Sequence, residues 1–211
     1  MPSSSGTTAT EPGRRERKRL EIRDRLYVSA VDLFVSQGFE ATTMDQIAEH
    51  ADVARATVFN YFPQKVSFLE EWGKRRRAKV DQILTAAHAR DLPAAEQLRG
   101  YLREIARLNV QSRRETMTLM EASLRFGGLL RTPALDTELT EVIRRGQLTG
   151  ELWPEMAAEQ AGTLLAAGYF SAVLRWINTE PAPFNLTDYL DTMLDLALHG
   201  LTAATPSSDT R

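Results

Sequence analysis

The sequence predicts an all-α fold, and three observations carry that expectation. Apolar residues recur at spacings of three and four, no stretch alternates apolar and polar with the period of a half-buried strand, and Pro or Gly residues punctuate the periodic segments. The 211 residues, 43% hydrophobic and 26% charged, suffice for one domain or for a small domain joined to a larger one. Cysteine is absent, which excludes a disulfide framework, a thiolate zinc site and a cysteine nucleophile. A reducing compartment, the cytoplasm, is expected.

The opening "MPSSSGTTATEPG" is small and polar and lacks the apolar run of an export signal, so residues 1–13 are expected to be a disordered leader. Ile22, Leu26, Ala30, Leu33 and Phe34 then mark the stripe of a first helix that Gly38 ends. It begins in "RRERKR" (Arg14 to Arg19). Cations there oppose the helix macrodipole, at about 0.3–1 kcal/mol each, and this favours a compensating anion outside the protein. Thr43 with Gln46 three residues on forms a Thr-x-x-Gln capping box ahead of a short second helix through Ala51. Asp52 and Val53 make a tight turn, and a third helix runs from Ala54 to Phe62, stopped by Pro63. Further helices are expected over 65–89, 94–110, 113–126, 134–147, 155–178 and 187–201. The breaks fall at Pro93, Gly127-Gly128, Pro133, Gly146, Gly150, Pro154, Pro181 and Pro183. The apolar run Ala161 to Leu174 is shorter than the roughly 18–20 residues that span a bilayer and reads as a buried helix, so no membrane partner is expected.

Charge is uneven. The net charge is −2, yet Arg14 to Arg77 carries 13 Lys and Arg against 10 Asp and Glu, whereas Ala78 to Arg211 carries 13 against 17. Once Val53, Val58 and Phe62 are assigned inward, the third helix is left with Arg55, Ala56, Thr57, Asn60 and Tyr61 facing mostly outward. A recognition helix presents side chains to the DNA major groove in this way. Small residues at 56 and 57 permit close approach, Arg55 offers a bidentate fork to guanine, and Asn60 suits a base edge or a phosphate. The Tyr61 hydroxyl, the backbone amides and hydroxyl at Thr43, and Lys65 suit phosphate oxygens. Double-stranded DNA is the expected partner.

"GFEATTMDQIAEHADVARATVFNYFPQKVSFL" (Gly38 to Leu69) resembles the TetR-type transcriptional regulators. Gly-aromatic, Thr-Thr, Ile-Ala, the turn valine, Thr-x-aromatic-x-Tyr-Phe and Pro-x-Lys follow in order at that family's spacing. "RRGQLTGELWPEMAAEQAGTLLAAGYFSAVLRWI" is similar to the family's penultimate region. Two positions depart from the pattern: Asp52 stands where the family usually has glycine, and Ala54 where it has serine. Asp tolerates left-handed geometry and can accept bonds from free helix amides, so it is expected to supply both turn and cap. Phe59, often a tyrosine in the family, has lost a phosphate-contacting hydroxyl.

The resemblance implies a three-helix DNA-binding domain over 14–64 and a helical effector-binding and dimerisation domain over 65–203, with a disordered tail over 204–211. It implies a homodimer acting as a repressor, released from a palindromic operator by a small-molecule effector, with no cofactor and no metal. Residues 161–176 and 193–201 are apolar nearly all round, as a helix covered on more than one side must be. The helix from Lys65 to Arg90 is the expected lever between the domains. Met117, Met120, Leu124, Phe126, Tyr169, Phe170 and Trp176 are candidate pocket lining for an apolar or amphipathic effector, with Arg125 and His88 near enough in character to orient an acidic one. An enzyme finds little support: the three histidines are far apart, and neither His-Glu-x-x-His nor Gly-x-Ser-x-Gly occurs.

Overall fold

A computed structural model describes residues 13–126 and 135–201. The breaks expected at Gly127-Gly128 and Pro133, the leader up to residue 12 and the tail over 204–211 lie outside these residues. Among the described residues the regular structure is entirely helical: α1 (Arg14–Gln37), α2 (Met44–His50), α3 (Arg55–Tyr61), α4 (Val66–Ala86), a 3-10 turn (Ala89–Asp91), α5 (Ala94–Gln111), α6 (Arg113–Arg125), α7 (Leu135–Leu148), α8 (Ala158–Ile177) and α9 (Leu186–Leu201). They form two compact units, one ending at Phe68 and the other beginning at Leu69.

In the first unit, α1 buries Leu26, Ser29, Ala30 and Phe34. Its end is fixed by Gly38, whose φ of 95° only glycine adopts without strain and whose N–H donates to the Phe34 carbonyl. The capping box forms as expected: Thr43 Oγ1 accepts from the Gln46 amide at 3.2 Å, and Gln46 Oε1 accepts from the Thr43 amide at 2.8 Å. The core is aromatic. Phe34 lies 4.9 Å from Phe39 and 6.1 Å from Phe68, and Phe68 stacks on Phe62 at 3.9 Å, with Leu26, Ile47 and Val58 fully buried around them.

The second unit is a helical bundle held by close backbone approaches. A Cβ on Gly162 of α8 would sit 2.1 Å from Thr140 Oγ1 and 2.8 Å from the Asp136 carbonyl of α7. The Gly162→Ala substitution is therefore expected to force α7 and α8 apart and cost about 1–3 kcal/mol or more, measurable by chemical denaturation. Asn185 caps α9 by accepting from the Thr187 amide at 2.9 Å, and Arg103 Nε ties α5 to Asp191 of α9 at 2.9 Å. α8 and α9 each bury one face, yet Leu164 and Leu196 stay 66% and 73% exposed. α4 stops at Ala86, short of the expected end, because His88 turns left-handed at φ 53°.

Candidate nucleic-acid interface and effector domain

The α2 to α3 corner is built by Asp52, whose φ of 50° is left-handed. Aspartate does supply the turn, but not the cap. The N-cap of α3 is Ala54, and no side chain bonds the free amides there. The chain before Pro63 is pushed extended at Phe62 (φ −134°, ψ 91°), which ends α3 after two turns.

Helical spacing sorts the seven residues of α3 and its C-cap Phe62 into four pairs. Val58 and Phe62 point into the core; Thr57 and Tyr61 are half-buried at the flanks; Arg55 with Phe59 and Ala56 with Asn60 form two adjacent exposed stripes. The Arg55 guanidinium is oriented from both sides: Nε bonds Asp45 Oδ1 of α2 at 2.9 Å, and Cζ lies 5.6 Å from the Phe59 ring centroid. Both partners of that ion pair are mostly exposed, so it holds geometry and adds little stability. Asp45 was not singled out in the sequence. It stands ten positions from Arg55, and only the fold brings them together.

Two expected phosphate contacts are otherwise engaged. The Lys65 ammonium donates to the carbonyls of Phe39 (2.6 Å), Glu40 (3.2 Å) and Thr42 (2.8 Å), using all three of its donors, and lies 4.5 Å above the Phe39 ring. Burial pushes its pKa down while Glu40 pulls it back up. It clamps the loop between α1 and α2 and does not stand free for DNA. Thr43 likewise spends its hydroxyl and its amide on Gln46.

In the second unit a polar cluster crosses the core. Asn109 of α5 is fully buried; its Oδ1 accepts from Arg76 Nη1 at 2.9 Å and its Nδ2 donates to the Tyr169 hydroxyl at 2.8 Å. Arg76 also reaches Glu115 Oε1 at 3.3 Å, and Trp72 Nε1 donates to the same oxygen at 2.6 Å. Arg76 lies under the Trp72 ring at 4.6 Å, and its Nε is buried without an acceptor among the described residues. Burial raises the Tyr169 pKa, so its hydroxyl stays protonated. Only Tyr169 of this cluster was picked from the sequence. Asn109 was legible in principle, since it continues the stripe of Leu98, Leu102, Ile105 and Ala106 with a polar residue.

The other candidate lining residues scatter. Met120 and Trp176 are buried, Met117, Leu124 and Phe170 half-buried, and Phe126 exposed at the end of α6. Phe170 meets Tyr169 edge-on at 5.1 Å, and the Arg113 guanidinium covers Trp176 at 4.9 Å while touching Met117 Sδ. Arg125 pairs with Glu121, and His88 is exposed. A groove of about 380 Å³ runs along α9, lined by Phe184, Tyr189, Met193 and Leu196 among others, and the seven candidates are not part of its lining. Among the described residues no group of three or more His, Cys, Asp or Glu is placed to hold a metal ion.

Residues 26–72 match the family model described as bacterial regulatory proteins, tetR family. The HTH-type transcriptional regulator TcmR of Streptomyces glaucescens is 38% identical over 84 residues, 40% of this chain and 35% of that protein. The repressor KstR of Rhodococcus jostii is 38% identical over 61 residues, 29% of each. The chain thus matches about a third of the length of these curated relatives. Over the whole fold, the structure of FadR from Thermus thermophilus, a TetR-family repressor in complex with lauroyl-CoA, superposes with a TM-score of 0.72 at 27% identity, covering 89% of this chain and all of that one. Residues 26–72, which hold the capped α2, the left-handed corner and the short α3, thus carry the N-terminal domain of the tetR family of bacterial regulatory proteins.

Proposed function

We propose that the protein is a sequence-specific DNA-binding repressor, a homodimer that leaves a palindromic operator when a small-molecule effector binds. One observation carries the reading: Arg55, Ala56 and Asn60 stand exposed on a two-turn helix whose opposite face, Val58 and Phe62, is locked in the core. The apolar side chains of Leu164 and Leu196 and the groove along α9 suit burial against a second copy. Two recognition helices then meet half-sites about 34–36 Å apart, so a small change in their separation ends simultaneous engagement. α4, which opens in the first unit and continues into the second, is the segment suited to transmit it. Near-complete release requires an effector that prefers the DNA-incompetent state about 10⁴-fold, roughly 5.5 kcal/mol.

The effector suited to this domain is apolar or amphipathic, and the lauroyl-CoA held by the Thermus thermophilus relative makes a medium-chain acyl-CoA the first probe. No helix among the described residues is long and apolar enough to cross a membrane, and a cytoplasmic place fits a DNA partner.

The test begins with selection of a duplex from a random pool by the full-length chain. A palindromic operator is expected, bound by a dimer in sedimentation analysis. Arg55→Ala is expected to weaken operator binding by about 1–3 kcal/mol and to relax preference at one base position per half-site. A pool that never enriches, or a strictly monomeric chain, refutes the reading.

A further inference from the structure

The first eight residues of α1 have no core to cover. The first buried residue of the helix is Leu26 and Arg14 to Glu21 are exposed throughout, so Arg14 to Glu21 form a helical overhang. Residues 14–19 are five cations and one carboxylate, Glu16, which pairs with Arg19 at 3.9 Å. Arg14, Arg15, Arg17 and Lys18 are exposed and have no acidic partner among the described residues. A helix gains nothing from such a start. Cations in the first turn oppose the macrodipole, and like charges at i, i+3 and i, i+4 repel one another.

The overhang leaves the unit beside α3. Arg25 Nη2 reaches the Asp52 carbonyl at 3.5 Å, at the corner three residues before Arg55, and the Arg23 guanidinium lies 4.9 Å over the Phe62 ring at the other end of α3. Arg14, Lys18 and Arg25 share one helix face, being separated by four and seven residues. The charged stripe therefore continues from the corner that presents α3, extending about 13 Å past Arg23 at 1.5 Å per residue.

We infer that Arg14, Arg15, Arg17 and Lys18 form an auxiliary docking surface for the phosphate backbone of DNA flanking the bases that α3 reads. This rests on the proposed function, since it assumes that α3 engages DNA. The overhang binds through charge and adds no sequence information. A membrane surface is the poorer occupant: Leu20 and Ile22 are the apolar side chains of residues 14–25, too narrow a face to insert.

The test uses the full chain and an operator enriched from a random duplex pool by the wild-type protein. Binding is measured between about 50 and 200 mM salt for the wild type, for the combined Arg14→Gln, Arg15→Gln, Arg17→Gln, Lys18→Gln variant, and for a variant with the three arginines changed to lysine. The glutamine variant, which loses four cations from each protomer, should show a log–log salt slope for the dimer shallower by about four to seven units and binding roughly tenfold weaker or more at ~150 mM salt. Its preference for operator over random duplex should be unchanged. The lysine variant should keep the wild-type slope, and circular dichroism should show all three equally folded. An unchanged slope in the glutamine variant overturns the inference, and so does a fallen operator-to-random ratio, which would assign base reading to these residues. Failure of the wild type to enrich any operator is a different result: it removes the reading of α3, and this inference with it, before a variant is made.

Discussion

Replacing Phe62 with alanine is expected to destabilise the first unit by about 3–5 kcal/mol and to abolish DNA binding. The side chain is 1% exposed, stacks on Phe68 at 3.9 Å with the rings 21° apart, and carries the Arg23 guanidinium on its other face. Its backbone ends α3, so the cavity left by alanine opens where the helix is anchored. A unit of this size buries proportionally less surface than a larger domain and has a small margin to lose. Hydrogen exchange at the amides of α3 gives the direct readout: protection should vanish in Phe62→Ala and persist in Phe62→Leu, which keeps most of the volume. A stability loss below about 1 kcal/mol for the alanine variant would contradict this account.

The second large effect belongs to Asn109→Leu, expected to cost about 2–4 kcal/mol. Leucine conserves much of the volume and removes both polar ends. Arg76 already has a buried Nε without an acceptor among the described residues and would lose the Nη1 bond as well, keeping its bond to Glu115. The Tyr169 hydroxyl would lose its donor in a fully buried site. The amide can sit only one way round, because Arg76 has nothing but donors and must face Oδ1. Tyr169→Phe removes a single neutral bond and should cost about 1 kcal/mol. In the double variant the two losses should fall short of additivity, since they share one hydrogen bond. Urea denaturation of the four proteins measures the cycle, and full additivity would separate the two residues energetically.

Local grammar made much of this fold legible. Thr43 and Gln46 announce the start of α2 because a capping box is closed within four residues, and Gly38 and Pro63 act on their own backbone. The exposed face of α3 followed from the same logic: once Val58 and Phe62 are spent on the core, spacing decides which side chains are left. What stayed hidden depends on groups distant in sequence. Lys65 reads as a free cation until three carbonyls from the α1 to α2 loop converge on it. Arg55 reads as a bare fork until Asp45 arrives from α2. In the second unit the aromatic and methionine residues drew attention to a pocket, yet the polar side chains Arg76, Asn109 and Glu115 organise the interior from three different helices. An apolar stripe says that a helix is buried; it does not say against what.

The left-handed corner at Asp52 also bears on how this protein can change over generations. A single-base change in an aspartate codon yields Asn, Gly, His, Tyr, Ala, Val or Glu. Asn and Gly enter that backbone region easily and His less so, whereas a β-branched valine is a steric outlier there. The corner thus filters mutations by chirality and branching before any contact with a partner is tested. Lineages descending from this sequence should drift at position 52 along a narrow path, through amide and glycine, while the exposed stripes beside it remain open to revision.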